Sequence, residues 1–174
     1  MTLADLIGSR LRDVPDFPAP GIVFKDITPL LRDGAALGAV VRELAARHTG
    51  TVDVVAGVEA RGFILGAGVA HELGLGFVPV RKAGKLPGDV LAHHYDLEYG
   101  SATIEVHADS FTPGQRVLLV DDVLATGGTA AAAHDLIERA GGRVVSMAFL
   151  VELAFLGGRD RLAGRSIDSL YLVP

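Results

Sequence analysis

The carboxylates of Asp121 and Asp122 are followed, after Val123 and Leu124, by Ala125-Thr126-Gly127-Gly128-Thr129. Ahead of them Val117 to Val120 is an apolar run, and behind them Ala133, Leu136, Ile137 and Ala140 recur at helical spacing. The order is strand, acidic tip, glycine loop, helix. A glycine loop that opens a helix offers backbone N–H groups and the positive end of the helix dipole to an anion, normally a phosphate. Carboxylates beside it accept hydrogen bonds from neutral hydroxyls, as a sugar provides. Either element alone would pass for a turn; in this order they fit a sugar phosphate.

Three more groupings carry polar chemistry. Glu59-Ala60-Arg61-Gly62 lies between an apolar run and a helical stretch, and by itself reads as a capping turn. Arg81-Lys82-Ala83-Gly84-Lys85 packs three cations into five positions of a chain of net charge −5. Such a run is usually solvated surface, but here it opens a glycine- and proline-bearing segment that suits a mobile flap. Phe17 to Leu30 looks, by composition, like a proline-rich surface loop. The adjacent His93 and His94 invite a metal reading, yet no partner ligands share a recognisable spacing with them. They read as loop histidines without a metal.

The run from Val117 to Thr129 resembles the signature of type I phosphoribosyltransferases, which bind 5-phosphoribosyl-1-pyrophosphate (PRPP). Its wording from Val120 onward is closest to the adenine branch. The resemblance extends from Phe17 to about Arg161 and implies a role for each grouping. Ala125, Thr126, Gly127, Gly128 and Thr129 would bind the 5-phosphate of PRPP, and Asp121 and Asp122 its ribose hydroxyls. Glu59, Ala60 and Arg61 would form the pyrophosphate turn, with a cis peptide at Glu59–Ala60. Arg81, Lys82 and Lys85 would also meet pyrophosphate, partly across a dimer interface. Leu97-Glu98-Tyr99-Gly100 places the family's catalytic glutamate at Glu98. The segment around Phe24 matches a hood over the base, where Val23 and Lys25 would hydrogen-bond adenine through their backbones and Phe24 would stack on it. The family often has Arg in place of Lys25, which matters little if the backbone does the reading.

The activity this resemblance implies is transfer of the phosphoribosyl group from PRPP to adenine, giving AMP and pyrophosphate in purine salvage. Mg²⁺ would accompany PRPP, with no site held by the protein alone, and the chain would act as a homodimer. Xanthine or hypoxanthine as the base is the nearest alternative, because hood geometry sets selectivity. A PRPP-sensing regulator is the more distant one. It would need a DNA-binding module, and no helix-turn-helix pattern precedes the hood.

These residues need a scaffold that brings them together. Leu3, Leu6, Ile7 and Leu11 mark a short helix over 3–12, and Leu37, Val40, Val41, Leu44 and Ala45 an amphipathic helix over about 34–48. Pro15, Pro18 and Pro20 make 13–21 an extended loop. Short apolar runs at 53–58, 77–80, 116–120, 144–150 and 170–173 read as strands, and 63–73 as a helix buried almost all round. Residues 83–96 read as a long loop, and 101–107 alternates as a half-exposed antiparallel strand. Strands alternating with helices predict an α/β fold, with a central mostly parallel sheet flanked by helices. In such sheets ligands sit beyond the carboxyl ends of the strands, where the acidic pair, the glycine loop, the Glu59 turn and the cationic segment all fall. The expectation is one domain over 1–174, with the hood at roughly 13–32 and a flexible catalytic loop at roughly 81–100.

Composition narrows the class further. The length of 174 residues suits one full-sized core. The negative net charge argues against a general nucleic-acid surface. No apolar stretch is long enough to span a membrane, and the N-terminal residues lack a secretory pattern. The absence of cysteine removes disulfides and thiolate metal sites. A cytoplasmic enzyme fits these features. Of 16 cationic side chains only Lys25, Lys82 and Lys85 are lysine, and all three lie in the segments assigned above to substrate.

Overall fold

The computed structural model describes residues 2–96 and 100–174. Its centre is a seven-stranded sheet in the order β5-β6-β4-β3-β7-β8-β9. The strands are β3 (Val54–Val58), β4 (Gly76–Lys82), β5 (Val90–Asp96), β6 (Ser101–His107), β7 (Gln115–Leu124), β8 (Gly142–Leu153) and β9 (Ile167–Val173). The β4, β3, β7, β8 and β9 strands pair in parallel, and β6 runs antiparallel to β4 and β5.

Period-two alternation divides the core between the two faces. Val117 and Leu119 of β7 join one buried cluster with Ala133, Leu136 and Ile137 of α5 (Gly128–Arg139). Leu118 and Val120 join the other, beneath α1 (Leu3–Arg10), α3 (Gly34–His48) and α4 (Arg61–Leu73). With both faces covered, the central strands must be apolar throughout, and β3 is buried at every position. Each fully buried Leu or Val contributes about 2 kcal/mol.

Several sequence expectations change. The short N-terminal helix ends at Arg10. The proline-rich segment contains a hairpin, with β1 (Arg12–Pro15) antiparallel to β2 (Val23–Asp26), followed by α2 (Thr28–Arg32). The prolines fit because Pro18 and Pro20 lie in the connection, while Pro15 ends an outer strand where no ladder N–H is needed.

The long loop over 83–96 is half strand. Within β5, Leu91, His93 and Tyr95 are partly buried and Ala92, His94 and Asp96 exposed, an alternation concealed by the polar ends of His and Tyr. His93 and His94 are therefore strand residues on opposite faces, not loop histidines. Nδ1 of His94 lies 2.9 Å from the Thr103 hydroxyl, and Nδ1 of His93 3.3 Å from an Arg139 guanidinium nitrogen.

The α4 helix is buried on one side only: Leu65, Val69 and Ala70 face the core, while Ile64 is exposed. Finally, β7 does not stop before the acidic pair. Pairing with the long β8 carries it through Asp121 to Leu124.

Candidate active site

Glu59 follows β3, Lys82 ends β4, and Asp121 and Asp122 lie near the end of β7. Parallel pairing of these three strands sets the ends side by side. One cleft is lined by Glu59, Ala60, Arg61, Lys82, Asp121, Asp122 and Thr129. A second, sharing Asp121 and Thr129, is lined by Leu124 to Gly128.

The glycine loop is shaped by close backbone packing. Gly127, at φ +80°, caps α5. A Cβ there would stand 2.7 Å from the Gly158 carbonyl oxygen, and a Cβ on Gly158 would stand 2.2 Å from that of Ala125. Only glycine accommodates both the positive φ and the contact at 127. Gly158 opens α6 (Gly158–Arg161), a four-residue helix with no periodicity to reveal it in sequence. The next residue, Arg159, donates to the buried Glu152 carboxylate through Nε at 2.8 Å and a terminal nitrogen at 2.5 Å; Ser169 adds a bond of 2.7 Å. This brace holds α6 against the loop. Loop N–H groups ahead of α5 have no intrahelical acceptor and remain available to an anion.

The Glu59–Ala60 peptide is cis, as the resemblance implied. The Glu59 carboxylate accepts from the Lys82 N–H at 2.9 Å and from Nε of Arg81 at 3.3 Å. Those contacts, the Lys82 N–H foremost, hold its pKa below the usual value. Glu59 thus fastens the end of β4 to the turn, leaving Arg61 and the cleft-lining Lys82 as cations of this region. Arg81 also donates to the Lys85 carbonyl at 3.2 Å, and Glu105 accepts from the Gly84 N–H at 3.0 Å. The cationic segment is therefore a hydrogen-bonded turn on an exposed edge; Lys85 is not among the cleft-lining residues.

Next to the turn, a Cβ on Gly62 would lie 2.8 Å from the Val120 carbonyl oxygen and 2.9 Å from Oδ1 of Asp121. This close approach of α4 to β7 puts Nε of Arg61 2.5 Å from Oδ2 of Asp122. The contact is a charge pair, since Oδ2 is buried without a hydrogen-bond partner among the described residues. Burial, and then the neighbouring Asp122 charge, raise the pKa of Asp121 well above that of an ordinary carboxylate. One cation facing two carboxylates leaves acceptor capacity for hydroxyl donors.

The hood meets the cleft through the same arginine, whose guanidinium carbon lies 5.0 Å from the centre of the Phe24 ring. The Ile22 carbonyl accepts across the hairpin from the Phe17 N–H. Backbone groups alternate in direction along a strand, so those of Val23 and Lys25 point to the free edge of β2. The Lys25 ammonium is engaged at 2.7 Å by Asp13, leaving its backbone as the available reader.

Glu98 lies outside the described residues. Sequence reasoning assigned nothing to Tyr95, whose hydroxyl lies 3.2 Å from Oγ1 of Thr129. Alternation in β5 would have found it had the strand been recognised. The Gly158 brace and an Asp26 hub linking Arg12 and Thr28 were also missed; Asp-x-Thr ahead of Pro29 is the local signal for the latter.

A glycine loop opening a helix, an acidic pair and a cation-bearing turn, gathered at the carboxyl ends of parallel strands, fit an enzyme of sugar-phosphate transfer. Residues 31–167 match the model of the phosphoribosyl transferase domain. The adenine phosphoribosyltransferase of Streptomyces coelicolor is 60% identical over 98% of this chain and 97% of its own length. The crystal structure of adenine phosphoribosyltransferase from Thermoanaerobacter pseudethanolicus superposes with a TM-score of 0.95 at 50% identity, covering 99% of this chain and 100% of that one. That of the Giardia lamblia APRTase complexed with 9-deazaadenine gives 0.93 at 43% identity, covering 100% and 99%. The chain belongs to the type I phosphoribosyltransferase family, in its adenine phosphoribosyltransferase branch.

Proposed function

We propose that this protein transfers the 5-phosphoribosyl group of PRPP to N9 of adenine, releasing pyrophosphate and forming AMP. The observation that carries the reading is the convergence on one cleft of the Glu59–Arg61 turn, Lys82, Asp121, Asp122 and Thr129, with Phe24 reached through Arg61. The high identity to adenine phosphoribosyltransferases and the Giardia complex with an adenine analogue favour adenine over hypoxanthine or xanthine.

In this reading the reaction is a displacement at the anomeric carbon, with the bond to pyrophosphate breaking ahead of bond formation to the base. Backbone N–H groups from Ala125 to Thr129 anchor the 5-phosphate. Asp121 and Asp122 accept from the ribose hydroxyls and stabilise the developing positive charge on the ring. Arg61 and Lys82, which line the cleft, neutralise the departing pyrophosphate, and by family resemblance Arg81 and Lys85 join them from the adjoining turn. Val23 and Lys25 read the base through the backbone while Phe24 stacks on it. By family resemblance Glu98 hydrogen-bonds the N7 side of the purine and assists proton movement. Holding sugar, leaving group and base in line removes much of the entropic part of the barrier.

Mg²⁺ fits as an ion carried by PRPP, because Asp122, at the proposed ribose position, is already paired with Arg61; bound to substrate oxygens it would neutralise pyrophosphate charge. The chain is proposed to act as one domain and as a homodimer on the family resemblance, with the exposed Ile64 of α4 offering apolar surface to a second copy. A cytoplasmic setting is proposed because PRPP is too charged to cross a membrane unaided. No helix among the described residues is long and apolar enough to cross a membrane.

Purified protein given PRPP, Mg²⁺ and one purine at a time tests the assignment by pyrophosphate release. Adenine is expected to exceed hypoxanthine and xanthine in kcat/KM by at least about 100-fold, since a site built to hydrogen-bond one exocyclic group leaves polar atoms unpaired with another. Equal or greater turnover of a 6-oxopurine would overturn the base assignment.

A further inference from the structure

Thr129 is the residue at which the site's cavities meet. It lines the loop pocket, the cleft of the acidic pair, and a third hollow formed with Glu59, Lys82, Tyr95 and Thr103. It is the second residue of α5, so its hydroxyl stands at the anion-binding end of the helix. A hydroxyl has one proton and two lone pairs. To serve a phosphate oxygen, Thr129 must aim that one proton at it, and a freely turning hydroxyl does so only part of the time.

Tyr95 supplies what would fix the direction. Its ring is partly buried and packs against the core cluster on the α5 side of the sheet. Its hydroxyl reaches Oγ1 of Thr129 at 3.2 Å, across 34 residues of sequence. Either oxygen could be the donor in isolation. Beside a bound phosphate the choice is settled: the Thr129 proton goes to the anion, and Tyr95 donates to the remaining Thr129 lone pair. Donation into a hydroxyl also polarises it, strengthening the bond it gives.

We propose that Tyr95 is a positioning residue for PRPP, donating to Thr129 Oγ1 and thereby directing the Thr129 hydroxyl at the 5-phosphate. This rests on the assignment of residues 125–129 to that phosphate. Tyr95 itself touches no reacting atom.

The test is a cycle of Tyr95→Phe, Thr129→Val and the double variant, with Thr129→Ser as the background that keeps the hydroxyl. Phenylalanine preserves the ring packing, so the melting temperature should remain close to wild type. Tyr95→Phe is expected to raise KM for PRPP about three- to tenfold, the range of one neutral hydrogen bond. KM for adenine should change by less than about twofold. In the Thr129→Val background Tyr95→Phe should add nothing, whereas in the Thr129→Ser background its full effect should persist. A simple packing role would move KM for PRPP equally in both backgrounds. Binding of ribose 5-phosphate, measured by calorimetry, should weaken in Tyr95→Phe by the same factor as KM for PRPP rises.

An active wild-type chain whose Tyr95→Phe variant keeps its KM for PRPP and its ribose 5-phosphate affinity overturns this inference alone. Full additivity of Tyr95→Phe with Thr129→Val overturns it as well. A wild-type chain that neither releases pyrophosphate nor binds ribose 5-phosphate overturns the functional reading beneath it.

Discussion

Nε of Arg61 stands 2.5 Å from Oδ2 of Asp122 while its guanidinium carbon lies 5.0 Å from the Phe24 ring centre. One side chain thus joins the strand proposed to hold ribose with the hood proposed to hold the base. Arg61→Ala removes the cation and leaves Oδ2 of a buried carboxylate uncompensated, an expected cost of about 1–3 kcal/mol. With a third of the Arg61 side chain exposed, solvent screening favours the lower end. The kcat/KM for PRPP should fall on the order of 100-fold. Arg61→Lys should recover stability, because a charge returns, but not the planar face over Phe24. KM for adenine should therefore stay raised, by about fivefold, in the lysine variant. A lysine variant with wild-type KM for adenine would break the proposed link to the hood.

Asp121 is expected to show opposed effects on stability and function. Burial, then the Asp122 charge, raise its folded pKa above the ordinary value of 3.8. The folded chain therefore binds this proton more tightly than the unfolded chain, and stability declines as pH rises from about 4 through the folded value. Asp121→Asn removes that penalty, so the substrate-free protein should melt on the order of 2–4 °C higher at neutral pH. Function runs the other way, because ribose hydroxyls need an ionised acceptor. Wild-type turnover should rise with pH along the limb on which stability falls. Asp121→Asn combined with Asp122→Asn should cut turnover on the order of 100-fold or more, with far less effect on adenine binding. Near-normal turnover in that double variant would remove the ribose assignment.

The parts of the fold that were legible in sequence are those where one physical demand dominates. Val54–Val58 and the Val117–Val120 stretch of β7 are buried on both faces, so their apolar runs announce a parallel sheet. The β5 strand hid because its inward positions are Leu91, His93 and Tyr95, two of which bring polar ends. The extension of β7 through Asp121 and Asp122 hid because carboxylates ordinarily mark the exit into solvent. Here β8 continues to pair beyond them, and Arg61 supplies the counter-charge. At the site, the glycine loop and the Glu59 turn are local features and were readable. The Gly158 brace and the Tyr95–Thr129 contact join segments 31 and 34 residues apart, which local pattern does not encode.

The hood should loosen in acid. Asp26 accepts from Nε of Arg12 at 3.0 Å and from a terminal nitrogen at 2.5 Å, and also from the Thr28 N–H at 2.9 Å and hydroxyl at 2.8 Å. It ties β1, β2 and α2 together. The Thr28 N–H, followed by Arg12, lowers its pKa from 3.8 to about 2. A depressed carboxylate stabilises the fold fully above its unfolded value and loses that contribution as pH falls through the folded one, here from about 4 to about 2. Asp26→Asn should abolish this limb of acid sensitivity. Since β2 carries Val23, Phe24 and Lys25, the variant should also raise KM for adenine about three- to tenfold while leaving ribose 5-phosphate binding unchanged. Equal losses for both ligands would show that Asp26 supports the whole fold and not the hood.

The brace behind the glycine loop can be separated from the phosphate binding proposed for that loop by one methyl group. A Cβ on Gly158 would stand 2.2 Å from the Ala125 carbonyl oxygen and 3.0 Å from Cδ1 of Leu124. The first neighbour is backbone and cannot rotate away, so Gly158→Ala must shift either α6 or the loop. The Arg159–Glu152 contacts resist movement of α6, and the loop should yield. Its N–H groups would then miss the phosphate oxygens, and hydrogen-bond strength falls steeply with misalignment. Gly158→Ala should raise KM for PRPP by at least about tenfold with KM for adenine little altered, the loss of one charge-assisted bond being worth that much. Adding Glu152→Gln, which loosens α6 by removing the charge Arg159 pairs with, should return part of the PRPP affinity at the expense of melting temperature. If the double variant binds PRPP no better than Gly158→Ala, the loop is not held in place by α6 and the brace has no functional consequence.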